Sequence, residues 1–269
     1  MIVFPNCKIN LGLHITSKRA DGFHNLETVF YPLIWTDALE AVKSESDSLT
    51  LSGIPVPGNA GDNICFKAAE LLRKDFPQIS RLSIHLHKTI PAGAGLGGGS
   101  ADGAFMLLLL NHKYNLQLSD RQLITYAGQL GSDCPFFIVN KPCFASGRGE
   151  VLHPVDLCLD NYSFLVIHPG IHVNTGWAFT QITPASAATP LTEIIRQPVE
   201  KWKKLLVNDF EVPVFKKYPE IGQLKETLYR SGALYASMTG SGSSLYGIFP
   251  KEMLPELGLD NDYIVKKIA

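Results

Sequence analysis

The sequence predicts a protein of mixed strands and helices that is divided into two domains. Its 269 residues are enough for two domains of ordinary size. Alternating apolar residues, which indicate strands, and apolar residues at helical spacing both recur along the chain. Past Asp160 the composition changes, and residues 182–190 form a Thr, Pro and Ala-rich segment of linker character. We therefore predict a boundary near residue 155, which separates an N-terminal domain at 1–155 from a C-terminal domain at 156–269.

The N-terminal domain is predicted to open with a half-buried strand. Isoleucine and leucine alternate with more polar residues over 8–15, and Lys8 and Asn10 lie on the polar face of that strand. An apolar stretch, alternation or helical spacing predicts the elements that follow. The strands are expected at 28–35, 48–53 and 81–90, and the helices at 62–76, 100–115 and 119–131. The last helix has a capping-box pattern from Ser119 to Gln122 and ends at Gly131.

After Asp133, in the segment GSDCPFF, a proline and a further apolar strand are expected. The C-terminal domain should begin with a strand at 162–170 that ends in Pro-Gly. Two helical segments follow at 199–210 and 220–232. Two strands around a second glycine turn then close the region at 233–249.

Composition excludes several classes of function. The formal net charge is −1 and no run of basic residues occurs, so we expect neither a nucleic-acid partner nor a membrane partner. Five cysteines without a C-x-x-C pair argue against a disulfide framework and a zinc knuckle. No apolar run approaches eighteen residues and no signal-peptide pattern is present, so we expect a cytoplasmic location.

Residues 88–105 contain six glycines, a composition that is costly to order unless a ligand approaches the backbone. The residues Gly93, Gly95 and Gly98 fit the dinucleotide pattern G-x-G-x-x-G. That pattern requires a strand directly before it and an acidic residue about twenty positions later. Here Pro91 interrupts the approach, and Asp120 opens a helix. The dinucleotide interpretation is therefore disfavoured.

The same segment also fits the phosphate-binding pattern G-x-x-x-x-G-K-[ST] from Gly93 to Ser100, except that Gly99 replaces the lysine. Successive backbone N–H groups and the following helix, which Ser100 can cap, still favour a phosphate group. The positive charge must then come from Mg²⁺, from Lys88 at the loop entrance, or from a lysine on a distant segment. We interpret the loop as a phosphate site.

Phosphoryl transfer also needs positive charge and often a carboxylate that accepts a proton. Asp133 is a candidate, although aspartate is equally common in turns. Lys8 is a second candidate, although a single lysine on a strand is more often an exposed side chain. His24 follows Phe23 in a turn, and an aromatic ring beside a hydrogen-bonding group suits a planar heterocycle.

Four segments, taken in order and spacing, resemble the small-molecule kinases of the galactokinase, homoserine, mevalonate and phosphomevalonate superfamily. They are KINLGLHITSKRADGFHNLETVF, PAGAGLGGGSADGAF, GSDCPFF and MTGSGSSLYGIF. The match runs from Lys8 to about Phe249. The glycine loop identifies only the superfamily, whereas the block RADGFHNLETVF resembles its cytidine-linked branch. The resemblance implies a two-domain α+β kinase fold, with an N-terminal ATP-binding domain and the active site in the cleft between the domains.

The resemblance also implies roles for individual residues. Lys8 and Asp133 match the catalytic pair, and Asn63 matches a residue beside the adenine. The cofactors would be ATP and Mg²⁺, whose protein ligands the sequence does not identify. The ATP phosphates would be held by Pro91, Ala92, Gly93, Ala94, Gly95, Leu96, Gly97, Gly98, Gly99, Ser100 and Ala101.

The acceptor substrate would be a small molecule that carries a cytidine diphosphate group. By resemblance, Phe23 and Phe179 are the two rings around the cytosine, and His24 binds its edge. Asn10 would contact the acceptor near its reacting end. Phe23 stands where tyrosine is common in the family.

Three alternatives stay open at this point. The protein could be another kinase of the superfamily that acts on a different alcohol. It could be a dinucleotide-dependent oxidoreductase, or a nucleotide-binding regulator without catalysis. The sequence does not reveal the oligomeric state.

Overall fold

The computed structural model describes residues 1–259 and 262–269. The strands, numbered in chain order, are β1 (Ile2–Val3), β2 (Asn6–Lys18), β3 (His24–Thr36), β4 (Ala38–Lys43), β5 (Ser48–Gly53), β6 (Leu82–Lys88), β7 (Cys143–Ser146), β8 (Val151–Pro154), β9 (Tyr162–His168), β10 (Tyr235–Met238), β11 (Leu245–Pro250) and β12 (Ile264–Ile268). The α-helices are α1 (Ile64–Asp75), α2 (Gly98–Lys113), α3 (Asp120–Leu130), α4 (Cys134–Val139), α5 (Thr175–Thr180), α6 (Leu191–Ile194), α7 (Glu211–Lys217) and α8 (Pro219–Arg230). The predicted mixture of strands and helices is confirmed.

The chain forms two compact units that are not consecutive in sequence. Unit 1 comprises Met1–Lys8, Ile34–Ala92 and Gly97–Lys141. Unit 2 comprises Ile9–Leu33, Gly93–Leu96 and Pro142–Ala269. The chain therefore passes from one unit to the other within β2, within β3, twice in the glycine loop and once between Lys141 and Pro142. The predicted domain boundary near residue 155 stays a prediction.

Unit 1 is built on a four-stranded sheet of order β1-β4-β6-β5. β5 and β6 are parallel and are joined through α1, whereas β4 pairs with its neighbours in antiparallel fashion. One face of the sheet is apolar and buried, and it includes Leu39, Ile84 and Leu86. Side chains on the opposite face of β6, among them His85 and His87, are exposed, as alternation in a strand requires. The strand β4 was not predicted.

The helices of unit 1 differ from the predictions in two places. α2 begins at Gly98 with Gly97 as its N-cap, so Ser100 lies in the first turn and does not cap the helix. Residues 134–139 form α4 and not a strand. The periodicity of a six-residue apolar run does not distinguish a helix from a strand. Pro135, at the start of the run, suits the first turn of a helix. The capping box at Ser119 is confirmed.

Unit 2 contains a wholly antiparallel sheet of order β10-β11-β9-β12 and a second sheet of order β2-β3-β7-β8. The strand at Tyr162–His168, the helix α8 and the β10–β11 pair confirm the predictions for these segments. The helix predicted over 199–210 is shorter, because only Val199–Lys204 is helical, with 3₁₀ geometry. The largest fully buried side chains of the unit are Trp202, Phe210, Tyr235, Tyr246 and Phe249. Within the described residues, no helix combines the length and the apolar character that a bilayer span requires.

Candidate active site

The strand β2 carries Lys8 into the interior of unit 1. The expected half-buried strand is wrong, because both faces of β2 are buried as far as Ile15. Lys8 is only 3% exposed, so the surface-lysine alternative is also wrong. Its Nζ lies 3.5 Å from Oδ2 of Asp133. The two residues that the sequence singled out as candidates for chemistry therefore form an ion pair.

Asp133 lies at the junction of α3 and α4. It occupies the N-cap position of α4, but its side chain forms no capping hydrogen bond. The backbone turns there through a bond from the Cys134 N–H to the Gly131 carbonyl at 3.2 Å. The Asp133 side chain is 34% exposed and its partner Lys8 is 4% exposed. A carboxylate that is accessible on one side and faces a buried cation on the other can accept a proton from a bound hydroxyl.

The end of the glycine loop lies beside this ion pair. Gly97 has φ of 73°, and a Cβ at this position would lie 3.1 Å from Cγ of Lys8 and 2.9 Å from Cζ of Phe137. Ser100 forms a hydrogen bond with the thiol of Cys134, the residue after Asp133. Unit 1 therefore places the start of α2 next to Lys8 and Asp133. Within the predicted phosphate loop, Gly97 approaches Lys8 directly and Ser100 approaches Asp133 through its neighbour Cys134.

The middle of the loop, Gly93–Leu96, belongs to unit 2. There the second glycine turn holds it, because Thr239 Oγ1 donates to the Gly95 carbonyl at 3.1 Å. The Ser244 N–H also donates to the Ala94 carbonyl at 3.3 Å. Sequence reasoning recognised both glycine segments but did not connect them. The signal was available in the segment MTGSGSS, whose small residues allow two backbones to approach closely.

A cavity of about 190 Å³ opens in unit 1 beside the loop. Asn63, Ala92 and Gly99 contribute to its wall, which brings three of the predicted ATP-binding residues together. Asn63 is the N-cap of α1, and its Oδ1 accepts from the Cys65 N–H at 2.9 Å. The other wall residues are Leu51, Val56, Pro57, Gly58, Asn59, Asp62, Ile64, Leu86, Lys88 and Asp102. The contact of Asn63 with adenine stays a prediction.

A buried charge cluster, formed by Asp37, Lys88 and Asp102, lies at this cavity. Lys88 Nζ donates to Oδ2 of Asp102 at 2.6 Å and to Oδ2 of Asp37. Burial opposes the charge of Lys88, but the two carboxylates outweigh burial and raise the pKa of the lysine. Burial, aided by Asp37 and only partly offset by Lys88, raises the pKa of Asp102 to about 7. Because the cluster has one cation and two carboxylates, Lys88 does not provide free positive charge for phosphate.

The sequence analysis did not find Asp37 or Asp102. Asp37 follows directly on the end of β3, and Asp102 interrupts the apolar helix α2. A charged residue in an otherwise buried element is a signal that a partner must exist. The partner here is Lys88, which is distant in sequence from Asp37.

Two of the residues predicted for the cytosine, His24 and Phe179, contact each other in unit 2, and Phe23 precedes His24 in the chain. His24 opens β3 and stacks on Phe179, with ring centroids 5.0 Å apart and an interplanar angle of 23°. Phe23 is 55% exposed, and the guanidinium of Arg148 lies 4.8 Å from the centroid of its ring. The sequence analysis did not name Arg148. The role of the two rings and of His24 in base binding stays a prediction.

Asn10, the last predicted substrate residue, is buried in unit 2. Its Nδ2 donates to Thr28 Oγ1 at 3.0 Å, and its Oδ1 accepts from Thr239 Oγ1 at 3.2 Å. These bonds connect β2 to β3 and to the second glycine turn. Contact of Asn10 with the acceptor substrate stays a prediction.

Comparison with known proteins identifies the family of the chain. The model of the GHMP kinases N terminal domain matches residues 63–141, and that of the GHMP kinases C terminal matches residues 191–260. A curated relative from Bacteroides thetaiotaomicron, 4-diphosphocytidyl-2-C-methyl-D-erythritol kinase, is 53% identical over 95% of both chains. The protein of that name from Chlorobium limicola is 41% identical, over 91% of this chain and 86% of the relative.

Solved structures show the same relationship. A crystal structure of 4-(cytidine 5'-diphospho)-2C-methyl-D-erythritol kinase superposes with a TM-score of 0.80 at 31% identity, and covers 92% of this chain and 90% of the other. Mevalonate kinase from Methanococcus jannaschii superposes with a TM-score of 0.72 at 17% identity, over 99% of this chain and 97% of the other. At that identity the second likeness shows the fold alone.

The chain therefore belongs to the GHMP kinases, which are ATP-dependent phosphotransferases. Within this class its relatives place it in the family of 4-diphosphocytidyl-2-C-methyl-D-erythritol kinases. The two-domain α+β fold that the resemblance implied is confirmed. The family also resolves the choice between a kinase and a dinucleotide-dependent oxidoreductase in favour of the kinase.

Proposed function

We propose that the protein transfers the γ-phosphoryl group of ATP to the 2-hydroxyl of 4-diphosphocytidyl-2-C-methyl-D-erythritol. This reaction belongs to isoprenoid precursor synthesis by the non-mevalonate pathway. The observation that carries the proposal is the 3.5 Å Lys8–Asp133 pair, which lies beside the end of the glycine loop. The names of relatives that are about half identical over nearly the whole chain support the choice of acceptor.

In this proposal Asp133 accepts the proton of the attacking hydroxyl. Its carboxylate has one exposed side toward which a substrate hydroxyl can point. Lys8 stabilises the developing alkoxide and the charge on the transferring phosphoryl group. The lysine is fixed for this role, because burial and contact with Gly97 restrict its side chain. Lys8 thus supplies the cation that the loop lacks at Gly99.

The glycine loop is proposed to hold the ATP phosphates. Three of its glycines, Gly93, Gly95 and Gly97, have positive φ values, a feature of backbone nests that bind anions. We also propose that Mg²⁺ is used, since it binds mainly through substrate phosphates and water and needs few protein ligands. The described residues fit this mode, because they contain no cluster of three or more His, Cys, Asp or Glu side chains that could hold an ion by themselves. Mg²⁺ would neutralise phosphate charge.

The cytidine end is proposed to bind at Phe23, His24 and Phe179 in unit 2. Phe23 is exposed and can stack on a planar base, whereas Phe179 already stacks on His24. Asn10 is proposed to contact the acceptor near the reacting hydroxyl. A cytoplasmic location also stays a proposal.

The test is a turnover assay with a panel of alcohols and Mg²⁺-ATP. The panel contains 4-diphosphocytidyl-2-C-methyl-D-erythritol, mevalonate, homoserine and galactose, and ADP release is measured together with the mass of the product. We expect the highest kcat/KM with the cytidine-linked alcohol, and phosphorylation at its 2-hydroxyl. A higher kcat/KM with another member of the panel would reject the proposed acceptor. The Lys8→Ala variant controls for contaminating kinases.

A further inference from the structure

The Asp102 carboxylate is an unusual feature of the cavity wall in unit 1. Asp102 is 2% exposed and lies in the second turn of α2. Its Oδ2 accepts from Lys88, but its Oδ1 is buried without a hydrogen-bond partner among the described residues. Buried polar atoms are nearly always hydrogen-bonded, so an exception at a cavity requires an explanation.

Neutralising Lys88 does not explain Asp102, because Asp37 already performs that function. Asp37 is fully used: Oδ2 accepts from Lys88, and Oδ1 accepts from the N–H groups of Thr89 and Ile90. Asp102 adds a second carboxylate and leaves the cluster with a net negative charge. Asp102, and not Asp37, is one of the residues that line the cavity.

The groups that face Asp102 come from three elements. They are Lys88 on β6, Asp37 before β4 and the thiol of Cys65 on α1. A protonated Asp102 could donate to Asp37, whereas the ionised form accepts a hydrogen bond from Lys88 through Oδ2 and, among the described residues, from no group through Oδ1. At a pH above about 7 the free oxygen is therefore an acceptor that needs a donor from the cavity.

The chemistry of the cavity indicates which part of a nucleotide provides that donor. A carboxylate repels phosphate groups, and the cluster offers a metal ion only one carboxylate oxygen without a partner, so an uncharged donor suits it best. The aliphatic wall residues Leu51, Val56 and Leu86 suit a flat base. The nucleoside of ATP offers two kinds of donor, the exocyclic amine of adenine and the ribose hydroxyls.

We infer that Asp102 is a specificity-determining residue of the nucleotide site, and that its Oδ1 accepts a hydrogen bond from the nucleoside of the phosphoryl donor. This inference rests on the proposed ATP-dependent function. Lys88 is then a positioning residue, because its hydrogen bond to Oδ2 fixes the orientation of the carboxylate. The carboxylate selects nucleosides that present an N–H or O–H group at this point.

The experiment measures binding by calorimetry at pH 8, without the acceptor alcohol. The probes are ATP, purine riboside triphosphate, which lacks the amine, and the 2'-deoxy and 3'-deoxy analogues of ATP. The parent protein should bind ATP roughly 10- to 100-fold more tightly than one of these analogues, as a hydrogen bond to a charged acceptor implies. The analogue that loses affinity identifies whether the amine or a hydroxyl is the donor.

The variant Asp102→Asn should abolish this preference. If Lys88 keeps the amide oxygen, the amide nitrogen replaces Oδ1 and presents a donor in place of an acceptor. ATP should then bind roughly 10- to 100-fold more weakly than to the parent, and about as weakly as the sensitive analogue. Asp120→Asn is the control, since Asp120 is an exposed carboxylate of unit 1 that does not line the cavity, and its loss should leave the preference intact.

The possible failures can be distinguished. A parent protein that does not bind ATP overturns the proposed function and this inference with it. A parent that binds ATP and all three analogues equally overturns the inference alone, even if the Asp102→Asn variant does not fold. A folded variant that retains the parent's preference does the same.

Discussion

The Lys8–Asp133 pair is asymmetric, and this asymmetry is what a transfer site needs. A lysine that is nearly fully buried must have a partner, because an isolated buried ammonium group is strongly disfavoured. Asp133 contacts Lys8 with one oxygen and remains one-third exposed. The cation is thus fixed and the carboxylate is accessible. An aspartate with a purely structural role would instead be expected to cap α4, which Asp133 does not do.

The first prediction is that Asp133→Asn abolishes most of the turnover while ATP still binds. An amide cannot accept the hydroxyl proton, and general-base catalysis contributes about 10²- to 10⁴-fold to rate. We expect kcat to fall by roughly that factor, measured by steady-state ADP release, with ATP binding measured by calorimetry. Asp120→Asn, which alters an exposed aspartate at the start of α3, is the matched control.

The Lys8→Ala variant should show a comparable fall in kcat. Residues that act as a unit have strongly non-additive effects, so the double variant should be far less impaired than the product of the two single losses predicts. A folded Asp133→Asn protein that keeps kcat within about tenfold of the parent would place the base elsewhere.

The second prediction concerns Phe23. If its ring stacks on cytosine, Phe23→Ala should raise KM for the cytidine substrate roughly 5- to 100-fold, as expected for loss of one base–aromatic stack. KM for ATP should change little. Phe4→Ala is the matched control, because Phe4 is a similarly exposed phenylalanine at 60%. Equal changes in both KM values would indicate a defect of folding and not of base binding.

The sequence allowed some site residues to be predicted and not others. Lys8 and Asp133 were predicted because phosphoryl transfer requires a cation and a base, and the motifs offered one of each; the structure brings the two side chains together. Asp37 and Asp102 were missed because their function depends on Lys88, and a pairing between distant segments has no local pattern. Arg148 was missed for the same reason, since its contact with Phe23 arises only in the fold.

At the scale of elements, the glycine loop continues directly into α2, and the two form one structural segment. The left-handed conformation at Gly97 lets the chain enter α2 directly at Gly98, so the helix starts two residues before the serine that was expected to cap it. Gly103 allows α1 to approach, because a Cβ there would lie 2.7 Å from Cγ1 of Ile64. The close packing of α1 on α2 therefore accounts for a glycine at position 103.

The third prediction separates the effect on ATP binding from the effect on stability in the glycine loop and α2. A Cβ at Gly99 would meet nothing within 4 Å, and Gly99 contributes to the cavity wall. We expect Gly99→Ala to melt at the same or a slightly higher temperature, because alanine favours a helix by up to about 1 kcal/mol over glycine. ATP affinity should fall, because the added methyl group would project toward the bound phosphates. Calorimetry and thermal melts measure the two effects.

Gly97→Ala, unlike Gly99→Ala, should lower the stability of the fold. Its positive φ and the 2.9 Å approach to Phe137 should destabilise the fold by about 1–3 kcal/mol. Gly258→Ala is the control for Gly99→Ala, because it also adds a methyl group in open space. Unchanged ATP affinity in Gly99→Ala would exclude Gly99 from the phosphate site.

At the scale of the whole molecule, the sequence allowed the class of structure to be predicted, but it did not indicate which segments belong to which compact unit. Strands and helices were recognised because their periodicities are local. The assignment of Met1–Lys8 to unit 1 and Ile9–Leu33 to unit 2 depends on contacts between distant segments, which no local pattern reports. The strand β4 was missed because it follows β3 after a single residue, Asp37.

The buried charge cluster also affects the stability of the whole molecule. Burial raises the pKa of Asp102 from its ordinary value of 3.8 to about 7 in the folded protein. Between these two pH values the folded state holds a proton that the unfolded state has released. The unfolding free energy should therefore fall as pH rises through this interval. At neutral pH the protein retains a group that weakens its fold, as expected if the group serves binding.

The fourth prediction tests this consequence with Asp102→Asn, whose side chain does not titrate. The melting temperature of the variant, minus that of the parent, should increase as pH rises from about 4 to about 7 and then remain constant, because only the parent loses stability in that interval. Burial lowers the pKa of His168 and raises stability with pH, but His168 is present in both proteins and cancels in the difference. Lys88 has a raised pKa, so its charge is constant over this range. Melting curves recorded by circular dichroism at half-unit intervals would measure the difference. If the two melting temperatures instead differ by a constant amount from pH 4 to pH 8, Asp102 is ionised throughout this range and its buried charge does not weaken the fold.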